Sequence, residues 1–267
     1  MVKAFREIIQ CNIRLFPRIF RIAKMYLKKK NSSSDLGWFW SLCKPLMYMV
    51  MFYFAMSMGF KGAKDIDGID CPYFVWLISG MSGWFFISDL IGGGPVCFKQ
   101  NKALVIKAGY PIPVIPMIPV LTNLLIHLIM VIFVLCIAVI LGVRPSIYWV
   151  QIPLVTILLI LFNYLWSFMF GMLNVVSADI FDFIKAIRPA FFWLSGVLFD
   201  SRPRHRHIFL LNPITYLIEG YRSAIAFNEW FWQRTIYTEY FACVMLVMLI
   251  ITVLLYKRLK NIMAEII

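Results

Sequence analysis

Few side chains in this sequence are spaced for chemistry, and each that is has a plain alternative. Asp65-Ile66-Asp67 sets two carboxylates at the i, i+2 spacing of a metal-holding pair, but its place on an outer loop favours a solvated turn. His205 and His207 could share a metal, yet Arg202, Arg204 and Arg206 beside them would repel a cation. His127 lies inside an apolar run, where a neutral imidazole bonded to a neighbouring helix is favoured over a proton relay. Lys44, Asp89, Asp179 and Glu239 sit at the edges of apolar runs. Such groups are functional suspects, and edge positions also let them reach the headgroup layer. Gly92-Gly93-Gly94-Pro95 lacks the lysine and hydroxyl of a GxxxxGK[ST] loop, so the usual nucleotide cradle is absent. The six cysteines are scattered without a CxxC, which indicates neither a disulfide framework nor a zinc site. No catalytic residue, metal ligand or cofactor is expected in this chain.

Two other groups of residues carry more information. The first is a short basic interruption between hydrophobic hairpins, Cys97-Phe98-Lys99-Gln100-Asn101-Lys102-Ala103-Leu104-Val105-Ile106-Lys107-Ala108-Gly109-Tyr110-Pro111. Its charge places it in the cytosol, compact enough for another protein to push on. The second is an aromatic content of 17%. Trp38, Phe39, Trp40, Tyr48, Phe52, Tyr53 and Phe54 crowd one apolar run, and Phe191, Phe192, Trp193 and Phe199 crowd another. Interfacial belts account for many of them. A subset facing an interior conduit, with Trp40, Tyr48, Phe52, Phe192 and Trp193 as candidates, could stack on the apolar C–H faces of sugar rings.

The elements that must position these residues follow from composition. Hydrophobic residues make up 62% of the 267 and charged residues 15%, and the mean hydropathy is +0.81. A soluble domain needs roughly 25% charge to cover its surface, so the chain reads as an all-α polytopic membrane protein. The apolar runs are continuous rather than alternating, which excludes an outer-membrane barrel. The net charge of +13 falls mostly in the gaps between runs. That is the positive-inside pattern, and no nucleic-acid partner is implied.

Residues Val2 to Lys30 carry nine Lys and Arg interleaved with apolar positions, the pattern of an amphipathic helix lying in the headgroup plane. A solvated helix packed on a partner is the alternative. No small-residue cleavage site follows, so a cleaved signal peptide is not expected. Spans are predicted over about Leu36 to Gly59, Pro72 to Ile91, Pro116 to Leu141 and Tyr148 to Val176. The apolar stretch Pro189 to Phe199 is too short to span unless the polar segment Ser177 to Arg188 helps. Ile208 to Phe227, broken by Asn212-Pro213, Glu219 and Arg222, reads as re-entrant, and Tyr237 to Tyr256 is the last span. Six spans put both termini in the cytosol, with the amphipathic helix and linker over 1–35 and the membrane domain over 36–260 of a single domain, 1–267. Arg202, Arg204 and Arg206 then fall outside, an exception to the charge rule.

Four segments resemble the ABC-2 type permeases that export polysaccharide. Leu36-Gly37-Trp38-Phe39-Trp40-Ser41-Leu42-Cys43-Lys44-Pro45-Leu46 is similar to the LGxxWxxxxPL start of that family's first span. Asn101 to Pro111 is similar to its basic loop ending in an aromatic-proline pair. Phe191 to Gly196 is similar to its fifth-span motif, and Leu211 to Arg222 to its Asn-Pro re-entrant element. The chain departs from the pattern at Phe181-Asp182, where the family has Arg-Asp, and at Ser195-Gly196, where it has Ser-Pro or Thr-Pro.

The resemblance implies a permease subunit that moves a lipid-linked polysaccharide or teichoic-acid-like polymer to the outer face of the inner or plasma membrane. Two copies would line a conduit. Each would seat a separate ATPase subunit, holding ATP and Mg, against a coupling helix with Asn101, Lys102, Leu104, Val105 and Ile106. Asn212, Pro213, Tyr216, Glu219 and Arg222 would gate the outer exit. Arg202, Arg204 and Arg206 would meet anionic polymer or headgroups there. The competing readings are an ABC-2 drug or lipid exporter, a membrane-embedded transferase of lipid-linked sugars, and a passive channel.

Overall fold

The computed structural model describes residues 1–30, 35, 37–59, 66, 69, 71–201, 209 and 211–266. The carboxylate pair Asp65 and Asp67, the histidines His205 and His207, and Arg202, Arg204 and Arg206 lie outside these. Every regular element among the described residues is helical: α1 (Val2–Lys29), α2 (Trp40–Gly59), α3 (Tyr73–Gly93), α4 (Cys97–Gln100), α5 (Lys102–Ile106), α6 (Met117–Ile140), α7 (Ile152–Val176), α8 (Asp179–Leu194), α9 (Pro213–Ile225) and α10 (Thr235–Ile266), with short 3₁₀ turns between some of them.

Four helical segments are long and apolar enough to cross a bilayer: Tyr73–Gly93, Ile112–Ile140, Ile147–Val176 and Thr235–Asn261. The chain is therefore a polytopic helical membrane protein. α2 and α8 fall outside that group for different reasons. α2 has the length, about 30 Å at 1.5 Å per residue, but Lys44 and Pro45 interrupt its apolar character. α8 takes in the polar stretch with Asp179, Asp182, Lys185 and Arg188, and it stops at Leu194 rather than running to Phe199. The stop is local: Ser195 Oγ donates back to the Phe192 carbonyl at 2.9 Å, and Gly196 turns the chain at φ +67°, a conformation that glycine adopts without steric cost.

α3 is the centre of the bundle and packs on α2, α6, α7, α8 and α9. Nearly all its residues are buried. Gly80 and Gly83, with Ser79 and Ser82, keep its surface low so that neighbours approach closely, the usual basis of helix contact in a membrane. The serine hydroxyls are satisfied inside the helix, on the carbonyls of Trp76 at 2.8 Å and Ser79 at 2.7 Å. The outward sides of α6, α7 and α10 expose Ile132, Ile140, Ile157, Leu161 and Leu246, as a lipid-facing surface should.

α1 runs across one end of the bundle. Its buried residues Ala4, Ile8, Ile19 and Ala23 share a face, and polar bonds fix it along its length. Glu7 meets the Tyr256 hydroxyl at 2.8 Å and Lys260 at 3.2 Å on α10. Asn12 donates to Tyr164 Oη at 2.9 Å, Tyr26 donates to Asn101 Oδ1 at 2.8 Å, and Lys30 donates to Asn123 Oδ1 at 3.0 Å. The described ends of the chain and the α4–α5 segment thus lie at the same end of the bundle.

Candidate functional site

Three sites position the residues singled out above. The first is the α4–α5 corner. Asn101, buried between the two short helices, donates through Nδ2 to the Cys97 carbonyl at 2.7 Å and accepts from Tyr26. Phe98 is fully buried against α7. It fits there because Gly171 has no side chain: a Cβ on Gly171 would lie 2.9 Å from two atoms of the Phe98 ring. Lys99 reaches Asn174 Oδ1 at 3.2 Å, and Asn174 in turn donates to the Pro95 carbonyl at 2.8 Å. With its base anchored in this way, α5 turns Lys102 and Ile106 outward, while Leu104 and Val105 are half-buried. Tyr110 N closes the segment on the Leu104 carbonyl at 3.0 Å after Gly109 at φ +63°. The surface left exposed is small, basic and apolar at its tip.

The second site is a cavity of about 450 Å³ between α2, α3 and α8. Trp40, Tyr48, Phe52 and Phe192 line it, joined by Trp84 and Phe85 of α3, which sequence reasoning had not selected. Phe192 meets both Phe52 and Trp84, at ring separations of 5.2 and 5.3 Å. Trp193 lies outside this lining, half exposed and against Phe192 and Phe199. Lys30, Lys44, Asp89 and Arg188 also line the cavity. Arg188 is held by two bonds to Ser88 Oγ, at 2.9 Å from Nη2 and 3.3 Å from Nε, and Lys30 pairs with Asp89 at 3.5 Å. The cavity therefore combines an aromatic lining with three cations and one carboxylate. Lys44 and Asp89 could be suspected from their place at span edges. Lys30 and Arg188 could not, because only the folded chain brings residues this far apart in sequence together.

The third site is α9. Asn212 caps it, accepting from Ile214 N at 3.0 Å, and Pro213 occupies the first helical position, where its missing N–H costs nothing. Every residue from Ile214 to Ile225 is buried. Tyr216 donates to Thr238 Oγ1 at 2.9 Å and stacks on Phe241 at 4.7 Å, tying α9 to α10. Glu219 and Arg222 pair at 2.8 Å inside the bundle. Glu219 Oε1 also accepts from Ser201 Oγ at 3.1 Å. Tyr221 Oη lies 2.7 Å from His127 Nε2 and 2.9 Å from Thr156 Oγ1, giving the intramembrane histidine a partner on a neighbouring helix.

A model of the family described as "ABC-2 type transporter" matches residues 18–226. An O-antigen export system permease protein RfbA of Klebsiella pneumoniae is 26% identical over 260 residues, covering 94% of this chain and 95% of that protein. A second from the same organism is 24% identical over the same shares. An O-antigen export system permease protein RfbA of Myxococcus xanthus is 22% identical over 228 residues, covering 84% of each.

Proposed function

From the premise that the chain belongs to the ABC-2 type transporter family, and is thus the membrane subunit of a transporter and not itself an enzyme, we propose that it exports a lipid-linked polysaccharide. Cargo passes from the cytosol to the outer face of the inner membrane, and a separate ATPase supplies the energy. The relatives named for O-antigen export support the cargo class. The single observation that carries the reading is the mixed lining of the cavity between α2, α3 and α8. Lys30, Lys44 and Arg188 suit the phosphate that joins a saccharide to a lipid carrier. The rings of Trp40, Tyr48, Phe52, Trp84 and Phe192 suit the sugars that follow.

In this reading the bundle crosses the membrane six times, with α2 and α8 completing the set, and both chain ends are cytosolic beside α4–α5. The ATPase docks on Lys102, Leu104, Val105 and Ile106, with Asn101 and Tyr26 linking that contact to α1, which lies on anionic lipid. A second copy of the chain closes the open side of the conduit, where α2 exposes Met47, Met51, Phe54 and Met58. α9, with Asn212, Pro213 and Tyr216, bounds the exit.

The test is export of polymer in cells supplying the ATPase and the lipid-linked substrate. Lys44→Gln together with Arg188→Gln should lower surface polymer at least tenfold while the variant still co-purifies with the ATPase. Parental export by that double variant would refute the cavity as the cargo path. Labelling of Lys102→Cys by a membrane-impermeant maleimide in intact cells would refute the orientation.

A further inference from the structure

A second cavity, at the inner end of the bundle, has no part in the reading above. It measures about 540 Å³ and lies between the end of α1, the α3–α4 junction and the first turns of α6. Tyr26, Lys29, Lys30, Asp89, Gln100 and Asn123 are among its lining. Lys30 and Asp89 also line the aromatic cavity between α2, α3 and α8, so their ion pair at 3.5 Å stands where the two meet. The linings differ in kind. Tyr26 is the one aromatic side chain among the described residues that line the second cavity, which leaves no stacking platform for sugar rings.

The polar groups still free in it are donors. Thr122 and Asn123 spend their hydrogens on the Ile118 and Pro119 carbonyls, at 2.8 and 3.0 Å. The Tyr26 hydroxyl donates to Asn101. Lys30 keeps one ammonium hydrogen after serving Asp89 and Asn123. The side chains of Lys29 and Gln100 have no polar partner among the described residues. With Lys30 and Asp89 offsetting each other, Lys29 leaves one positive charge uncompensated. That balance suits a group with a single negative charge and several acceptor oxygens, which is a phosphodiester.

The cavity also lies at the depth of a headgroup. Asp89 and Asn123 stand about 6 and 9 Å from the inner ends of α3 and α6 at 1.5 Å per residue, close to the thickness of the interfacial layer. A stripe of α6 leads from it toward the bilayer centre. Pro119 lines the cavity, and Ile126 lines a narrow slot that shares Asp89 and Asn123 with it. Phe133, seven residues further on, is exposed. Steps of seven keep these residues on nearly one helical face, and Phe133 lies about 15 Å beyond Asn123, the reach of one leaflet. A polar chamber joined to an apolar stripe has the shape of a lipid rather than of a soluble anion.

We propose that this cavity holds the headgroup of an anionic glycerophospholipid of the inner leaflet, resident in the protein and distinct from the cargo. Lys29, Lys30 and Gln100 donate to the phosphodiester, and an acyl chain lies along Ile126 and Phe133. The phosphate ties the end of α1 to the end of α4, beside the Tyr26–Asn101 bond.

Native mass spectrometry of the complex with its ATPase, delipidated in neutral detergent, tests the site. The first molecule of dioleoyl phosphatidylglycerol should bind the parent at least tenfold more tightly than it binds Lys29→Gln with Gln100→Leu. Lys28→Gln loses the same charge one residue away, outside the lining, and should stay within twofold of the parent. Competition in the parent needs no variant. Glycerol phosphate, the headgroup without its chains, should displace the lipid only at concentrations at least a hundredfold higher than phosphatidylglycerol itself requires. A polyprenyl phosphate should compete at least tenfold less well than phosphatidylglycerol. Equal affinity in parent and double variant, or an equal loss in Lys28→Gln, overturns the site. Ready displacement by glycerol phosphate would make it a site for soluble anions, and preference for the polyprenyl phosphate would make it part of the cargo path; either result overturns the proposal. Binding requires no transport, so it holds or fails independently of what the cargo is.

Discussion

The seating of the basic segment on α7 makes a sharp prediction at Gly171. Replacing it with alanine puts a methyl group 2.9 Å from two atoms of the Phe98 ring and 3.1 Å from Cys97 Sγ. Carbon atoms pack best at about 3.5–4.0 Å, so the ring has to retreat by roughly 0.6–1 Å, as that range implies. Phe98 is fully buried, and its ring already lies 6.1 Å from that of Phe168. The retreat must therefore carry α4 with it. Overpacking of this kind costs about 1–3 kcal/mol, a factor of roughly 5–150 against the seated position at 1.36 kcal/mol per decade. Because α4 leads directly into α5, ATPase stimulation in the reconstituted complex should fall within that range, and the midpoint of thermal unfolding should drop. Gly93→Ala, four residues before the same segment, meets nothing within 4 Å and should keep parental behaviour. Adding Phe98→Leu to Gly171→Ala should restore stimulation by returning space. Full stimulation in Gly171→Ala alone, or no recovery in the double variant, would refute the packing argument.

Three further outcomes follow from the same contacts. Tyr26→Phe removes the donor to Asn101 Oδ1 and leaves that acceptor without it, at a cost of about 1–3 kcal/mol, so coupling of ATPase activity to export should weaken while the assembled complex survives on gel filtration. Gly220→Ala drives a methyl to 2.9 Å from Val155 Cγ1 and should lower the unfolding midpoint, with Val155→Ala in the same chain restoring part of the loss. Burial, and then the Glu7 carboxylate, push the Cys11 thiol up from its ordinary range. Thiolate is scarce at neutral pH as a result, so alkylation at Cys11 should be slow and rise steadily as pH rises. Glu7→Gln should speed it at a fixed pH, and equal rates in parent and variant would place the carboxylate elsewhere.

The long spans were legible because a bilayer demands about 20 apolar residues in a row, and α3, α6, α7 and α10 supply them with bounds close to those read from hydropathy. α8 was harder to read, because half of it is the polar stretch from Asp179 to Arg188 and hydropathy sees only the half after Pro189. The short helix over Lys102–Ile106 lies where the basic loop resembled its family's coupling element. Four of the five aromatic candidates line one cavity, while Trp193, the neighbour of Phe192 on α8, points elsewhere, since adjacent helical residues diverge by about 100°. Arg222 was visible as an interruption of an apolar stretch. Its burial was not, because its partners come from Trp76 and Gly80 on α3 and from the turn at Gly196, and one-dimensional patterning carries no record of such meetings. The same holds for Lys30 beside Asp89 and Asn123.

The way α1 is fastened has a bearing on biogenesis. Its bonds reach Asn101, Asn123, Tyr164 and finally Tyr256 and Lys260, partners that leave the ribosome one after another. α1 is thus made before the residues that hold it, and until α10 is inserted Glu7 lacks the Tyr256 and Lys260 partners it has in the folded chain. A nascent chain cut short before Tyr256 would hold this cationic helix more loosely, a ready mark by which a protease could tell unfinished copies from finished ones.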